Sequence, residues 1–178
     1  METPEFQIHS AYDHKALKTM SRVLRKTIRR KRSIALRVFG WCAVTLFALS
    51  EIALAAIGAF SLEFGDIAVI LAVAVMLFTL LFEDDLNAWI AALSLIPGTK
   101  EADTRFTSEC YTVKTQAAET RWNYDRVQAI GETKDSFVFM LSKRHTQEFP
   151  KAGLSEGTPN EFRAFIEERT GLPVRYVK

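Results

Sequence analysis

Two long apolar runs, separated by only six residues, limit what this chain can fold into. Val38 to Phe60 contains 23 residues with one charge, and Ile67 to Phe82 contains 16 residues with none. As helices these runs would be about 34 Å and 24 Å long, compared with a bilayer core about 30 Å thick. A chain of 178 residues has too little else to bury two such helices in a soluble core. The runs therefore predict a transmembrane hairpin, with spans at about residues 38–60 and 65–82 and a tight turn around Gly65.

The charge around the hairpin predicts its orientation. Residues 22–37 contain eight Lys and Arg and no acid, and because the whole chain has a net charge of +2, the remainder carries −6. By the positive-inside rule the basic segment stays in the cytoplasm and the acidic loop at residues 61–66 faces outward. We therefore expect a multi-pass protein of the bacterial cytoplasmic membrane with both termini cytoplasmic. The membrane-flanking cations are Arg25, Lys26, Arg29, Arg30, Lys31, Arg32 and Arg37.

Glu51 is the one charged residue inside the first run. A carboxylate at that depth must be protonated, partnered or facing water, because hydrocarbon does not solvate it. Its candidate partners are Thr45, Ser50, Thr79 or Glu51 of another chain. Glu51 is therefore the candidate intramembrane polar site, and the alternatives are self-association, partner binding or a tolerated protonated side chain.

Residues 1–37 are expected to form a short strand at residues 6–9, followed by a basic amphipathic helix with Ser10 as its N-cap. An apolar stripe along this helix recurs at spacings of three and four residues: Leu17, Met20, Leu24 and Ile28. Such a helix would lie on the inner leaflet, continue into the first span, or pack on the C-terminal domain. All three interpretations fit the pattern.

Within residues 83–103 the apolar stretch LNAWIAALSLIPG, residues 86–98, is too short to cross the bilayer. It predicts an interfacial or connecting helix that ends at Pro97. Trp89 would lie near the headgroups, where tryptophan is enriched. The acids at residues 83–85 run against the positive-inside trend, and pairing with the basic segment across the mouth of the hairpin would explain them.

From residue 104 onward the pattern changes to short segments rich in β-branched and aromatic residues, separated by turn residues. These segments predict a small antiparallel sheet or partly closed barrel over residues 104–178. A final helix is marked by Thr158 as N-cap, Pro159 in the first turn, Glu161 completing a capping box, and Gly171 at the end. The expected fold class is therefore α+β, with a membrane hairpin and a small sheet closed by the last helix.

One stretch of this region resembles a known family. It reads "TRWNYDRVQAIGETKDSFVFMLSKRHTQEFPKAGLSEGTPNEFRAFIEE" and includes a Trp followed by an apolar pair, a "KDSFVFML" strand, an "FPK" turn and a Phe-bearing helix. This arrangement is similar to the bacterial YcxB-like family, over roughly residues 104–169. The resemblance implies a two-span membrane protein with a pleckstrin-homology-like (PH-like) cytosolic domain and no assigned chemistry.

Catalytic chemistry has little support in the sequence. The three histidines, at positions 9, 14 and 145, are scattered, and no glycine-rich phosphate loop is present. Cys42 and Cys110 lack the neighbouring Cys or His residues of a zinc site. We therefore predict no catalytic, cofactor-binding or metal residues and no enzyme activity.

The C-terminal region also lacks the charge of a nucleic-acid or phosphoinositide reader. Residues 101–178 contain twelve Lys and Arg and twelve Asp and Glu, whereas phosphate recognition needs clustered cations. No nucleic-acid partner is expected.

The predicted function is that of a membrane-anchored interaction module, which captures a peptide or another subunit at a sheet edge or beside the final helix. Trp122 is the candidate recognition residue, although a large aromatic in a small barrel also fits a core position. The expected partners are the lipid bilayer and either another protein or a second copy of this chain. The alternatives are an immunity or toxin-neutralising membrane protein, and an accessory subunit of a membrane enzyme or transporter.

Overall fold

The computed structural model describes residues 5–58 and 64–178 and shows an α+β protein. Its helices are α1 (His14–Lys26), α2 (Arg30–Ala56), α3 (Phe64–Leu81), α4 (Glu83–Leu93) and α5 (Pro159–Thr170). Its strands are β1 (Phe6–Ala11), β2 (Glu101–Phe106), β3 (Cys110–Lys114), β4 (Glu119–Asn123), β5 (Ala129–Glu132), β6 (Ser136–Met140), β7 (Thr146–Pro150) and β8 (Val174–Tyr176). The short strands expected after residue 104 are thus observed. The expectation of one antiparallel sheet is wrong, because the strands form two sheets and β8 pairs in parallel with β5.

The strands form two four-stranded sheets, in the orders β1-β2-β3-β4 and β7-β6-β5-β8. β1 runs antiparallel to β2, in a register that pairs Phe6 with Phe106 and Ala11 with Glu101. The expected domain boundary at residue 104 falls inside β2, and the first sheet extends to the N-terminal strand. This unit is therefore built from both ends of the chain, with residues 12–100 inserted between two neighbouring strands.

The main core lies between the two sheets and α5. Tyr111 and Phe106 from the first sheet, Phe139 and Phe149 from the second, and Phe162 from α5 are all fully buried there. A buried hydrogen bond of 2.8 Å from the Tyr111 hydroxyl to Gln147 Oε1 also joins the two sheets. Since both sheets and α5 contribute to one aromatic cluster, they fold as one unit, which we call the sheet domain.

The end signals of α5 are confirmed. Thr158 Oγ1 accepts a hydrogen bond from the Glu161 amide, the Glu161 carboxylate accepts one from the Thr158 amide, and Pro159 occupies the first turn. Gly171 ends the helix with a φ of 66°, the left-handed conformation that glycine adopts without a steric penalty.

The prediction that Ser10 caps α1 is wrong. Ser10 lies in β1, where it is buried and donates to the Glu148 carbonyl at 3.0 Å, and the N-cap is Asp13, whose carboxylate accepts from the Ala16 amide at 2.7 Å. The β1 strand continues two residues beyond its predicted end, because Ala11 still pairs with β2.

The apolar stripe of α1 packs on the second sheet. Leu24, together with Val23, contacts Val138 and Met140 of β6 and Val177, while Met20 and Ile28 border the same cluster. Gly131 of β5 allows this close approach, because a Cβ there would collide with the Val23 side chain. Of the three interpretations left open for this helix, packing on the C-terminal domain is therefore the one that the structure shows.

Within the described chain, α2 is long and apolar enough to cross a bilayer by length and composition. Only 6% of its most apolar window is buried inside the protein, so α2 is not a core helix. It begins at Arg30, eight residues before the apolar run. Residues 30–37 of the basic segment therefore form its first two turns. α2 and α3 approach closely at Gly40, where a Cβ would lie 2.6 Å from Leu80 Cδ1.

α3 joins α4 at a sharp bend of 81° between the two helix axes. The predicted turn around Gly65 is wrong, because Gly65 lies in the first turn of α3. The remainder of the predicted loop, residues 61–63, lies outside the described residues.

Candidate functional site

Three acidic residues at the start of α4 face basic residues of α1 and α2. Glu83, Asp84 and Asp85 form its first turn, where negative charge favours helix formation. Asp84 accepts two hydrogen bonds from the Arg25 guanidinium, at 2.7 Å from Nε and 2.6 Å from Nη2. Their side chains are only 12% and 13% exposed, so this bidentate pair is largely shielded from water.

Weaker ion pairs surround this one. Lys18 Nζ lies 2.6 Å from Asp85 Oδ1, and Arg37 Nη2 lies 3.5 Å from Glu83 Oε2. The hydrogen bond from Lys18 holds the pKa of Asp85 below its usual range. Together with the Arg25–Asp84 pair these contacts form what we call the ionic layer. The pairing suggested by the sequence is thus observed, and it fastens α1 and the base of α2 to α4.

The other flanking cations have different surroundings. Lys26 donates to the main-chain oxygen of Lys178, and Arg29 donates to the carbonyl of Lys143. The next three cations, at positions 30–32, are exposed and form no ion pair with residues 5–58 or 64–178. The basic segment is therefore divided between cations that hold the helices together and cations that face outward.

The outward side of α4 is apolar. Ala88 is fully buried against the protein, whereas large apolar side chains on the other side are at least half exposed: Trp89, Ile90 and Leu93, with Ile96 just beyond the helix end. An exposed stripe of this kind marks a surface that contacts lipid or another protein. The location of Trp89 near the headgroups stays a prediction.

Glu51 lies on α2 and is partly exposed. No hydrogen bond or ion pair joins it to another of the described residues, and its three candidate partners donate elsewhere. Thr45 donates to Trp41 O at 2.8 Å, Ser50 to Phe47 O at 2.7 Å and Thr79 to Met76 O at 2.8 Å, each within its own helix. The interpretations of Glu51 that involve a second chain or a protonated side chain stay predictions.

Trp122 lies on β4, at the edge of the first sheet. Its indole is partly buried, borders the main core and contacts the His145 ring at a centroid distance of 5.3 Å. Partial burial lowers the pKa of His145. Trp122 therefore combines the core position and the edge position that the sequence left open.

β4 presents a free edge beside Trp122. The β3–β4 hairpin closes with a 2.8 Å hydrogen bond from Thr115 N–H to Ala118 O. By the alternation of an antiparallel pair, the peptide groups of Thr120 and Trp122 then face β3, and those of Glu119, Arg121 and Asn123 face outward. This row of outward groups, which we call the β4 edge, is a template for another strand.

Glu148 is a buried acidic residue that the sequence did not indicate as a candidate site residue. Glu148 of β7 is 8% exposed, and burial raises its pKa. Three consecutive residues of β7, from Gln147 to Phe149, are buried, so no alternation in its sequence indicated that Glu148 lies inside. Among the described residues, no group of His, Cys, Asp and Glu side chains is arranged to hold a metal ion.

Part of the sheet domain matches a family model. A family model described as "YcxB-like protein" matches residues 106–166, from the last residue of β2 to Ile166 in α5. No curated protein and no solved structure gave a significant match. The matched segment contains Trp122, the aromatic core strands and the capped helix on which the resemblance was based. Over residues 106–166, about a third of its length, the chain is similar to the YcxB-like family.

Proposed function

We propose that this chain is a two-span protein of the bacterial cytoplasmic membrane, whose PH-like sheet domain recruits a protein partner on the cytoplasmic side. The observation that carries the anchoring is topological. The chain leaves the first sheet at Ala11 and returns at Glu101, and these residues are paired neighbours. The amide of Tyr12 even donates to Lys100 O at 2.8 Å.

An odd number of crossings between residues 12 and 100 would place β1 and β2 on opposite sides of the membrane. Because the two strands pair over six residues, the number of crossings must be even. α2 is long and apolar enough to cross by itself, and we infer that the shorter α3 is the return span. Both ends of the chain then lie on the side of the basic segment, which the positive-inside rule assigns to the cytoplasm.

The sheet domain supports the second half of the proposal. Two sheets packed around an aromatic core, with a C-terminal helix against them, agree with the PH-like fold implied by the family resemblance. The β4 edge is where a partner would add an extended segment, since strand addition uses main-chain hydrogen bonds for affinity and side-chain pockets for specificity. Trp122 would supply the adjacent apolar contact.

The anchoring predicts a labelling pattern. In a chain whose two cysteines are replaced by serine, Gly65→Cys is expected to react with a membrane-impermeant maleimide in intact cells. Glu5→Cys and Glu156→Cys, at exposed positions of the sheet domain, should react only after permeabilisation. Labelling of Glu5→Cys and Glu156→Cys from opposite sides would overturn the two-span topology.

Partner capture at the β4 edge predicts an effect of one proline. Arg121→Pro removes an outward-facing N–H and leaves the hydrogen bonds to β3 in place. It should therefore remove most of the cross-linking between the chain and its partner in membranes. Arg121→Ala is the matched control, because it removes the same side-chain contacts with Glu109 and Cys110 and keeps the N–H. Equal recovery of the partner from both variants, with an unchanged melting temperature, would contradict capture at this edge.

A further inference from the structure

An open groove of about 380 Å³ lies between the N-terminal turns of α2 and the chain around β8. We call it the juxtamembrane groove. Its cationic and apolar walls include Lys26, Arg30, Ile34, Arg37, Tyr176 and Lys178. Arg37 directly precedes the apolar run of α2, so in the proposed topology this groove lies at the level of the inner headgroups.

The groove has more positive charge than its neighbours neutralise. Lys26 is bonded to the main-chain oxygen of Lys178, and Arg37 is 3.5 Å from Glu83. Arg30, by contrast, has no ion-pair partner in the described part of the chain. The Nε of Arg37 is also a buried donor without an acceptor among these residues. The exposed guanidinium of Arg30, on the same helix as the partly exposed Arg37, is an arrangement that suits an anionic oxygen.

The helix geometry places the two arginines together on one face. Arg30 and Arg37 are seven residues apart, two turns of α2, with Ile34 between them. The rise of a helix puts Arg30 about 10 Å below Arg37, and long basic side chains extend toward the headgroups. Arg32 projects about 200° around the axis from Arg30 and so faces away from the groove.

We propose that the juxtamembrane groove binds one anionic glycerophospholipid of the inner leaflet, with its phosphate held by Arg30 and Arg37. Ile34 and Tyr176, which is 56% exposed, contact the glycerol and the upper part of the acyl chains. The volume of the groove falls within the range of small-ligand sites. This inference rests on the proposed membrane location, and it assigns the exposed cations a specific partner in addition to their role in orientation.

The test uses the full chain in a neutral detergent, titrated with phosphatidylglycerol and followed by native mass spectrometry. Arg30→Gln is expected to weaken binding of the first phosphatidylglycerol about fivefold, the effect of one cation near an anionic membrane surface. Arg32→Gln, with the same charge change two residues away, should leave that affinity unchanged. Phosphatidylcholine, whose headgroup carries a compensating cation, should bind more weakly than phosphatidylglycerol.

Three outcomes would overturn the proposal. Equal weakening by Arg30→Gln and Arg32→Gln would show that the basic segment acts only through its overall charge. Equal affinity for the two lipids would show that no anion is selected, and equal binding of soluble glycerol 1-phosphate would identify a metabolite site. The cysteine labelling tests the two-span topology separately from lipid binding. If the labelling shows the expected topology and any of these three results is obtained, lipid binding in the groove is rejected and the topology is kept.

Discussion

Asp84→Ala is expected to destabilise the packing of α1 on α4 by about 3 kcal/mol, because it leaves a shielded guanidinium without its carboxylate. Arg25 is only 13% exposed and retains a single acidic neighbour, Glu83, at 3.7 Å. Urea unfolding of the full chain in detergent, followed by tryptophan fluorescence, measures the loss.

Asp85→Ala is the matched control for this change. Asp85 is the next residue along the same helix turn, but its side chain is 38% exposed and its partner Lys18 is 36% exposed. Exposed ion pairs contribute little, so the loss should be a small fraction of that for Asp84→Ala. Equal losses from the two variants would contradict a special role of the shielded pair. Arg25→Met combined with Asp84→Leu should recover most of the stability, because an apolar pair replaces two charges.

Phe106→Ala is expected to destabilise the sheet domain by about 3–5 kcal/mol, the range for deleting a buried phenyl ring. Phe106 is fully buried, and its ring centroid lies 5.2 Å from that of Phe149 and 4.9 Å from that of Phe162. It thus contacts both the second sheet and α5. The same urea titration, with near-ultraviolet circular dichroism as the signal, measures the loss of this packing.

Two other variants show whether the effect comes from the core. Phe106→Leu keeps most of the apolar volume and should lose markedly less stability than Phe106→Ala. Tyr176→Ala removes an aromatic side chain that is 56% exposed, so its effect should stay within about 0.5 kcal/mol. A loss for Tyr176→Ala as large as that for Phe106→Ala would place the stabilising core elsewhere.

Local patterns in the sequence predicted the elements of this fold well. The capping box at Thr158 and the short segments rich in β-branched and aromatic residues are local features, and they depend on residues that are close in the sequence. The family resemblance likewise rests on local motifs, and the matched residues 106–166 contain them.

Features that depend on distant residues were harder to predict. Ser10 looked like an N-cap because nothing local shows that β1 continues to Ala11; that continuation depends on pairing with Glu101. β8 has only three residues and pairs with β5 in parallel. It is therefore too short for a clear strand pattern, and no hairpin turn in the sequence indicates its pairing. β6 is buried along its whole length, but the helix that covers its second face could not be identified from β6 itself.

The ionic layer shows a similar limit. The sequence indicated opposite charges on both sides of the hairpin mouth, and it did not show which acid would be shielded. Asp84 and Asp85 are adjacent and chemically identical, and only the direction of each side chain relative to α1 separates them.

The placement of β1 has a consequence for how the protein is made. β1 is the first strand to leave the ribosome, and its only neighbour in the first sheet, β2, is synthesised after all of α1 to α4. At about 5–20 residues per second, β1 stays unpaired for several seconds while the intervening helices emerge. Closure of the first sheet therefore cannot precede synthesis of the apolar helices, so in the proposed topology these helices can enter the bilayer before β1 and β2 pair.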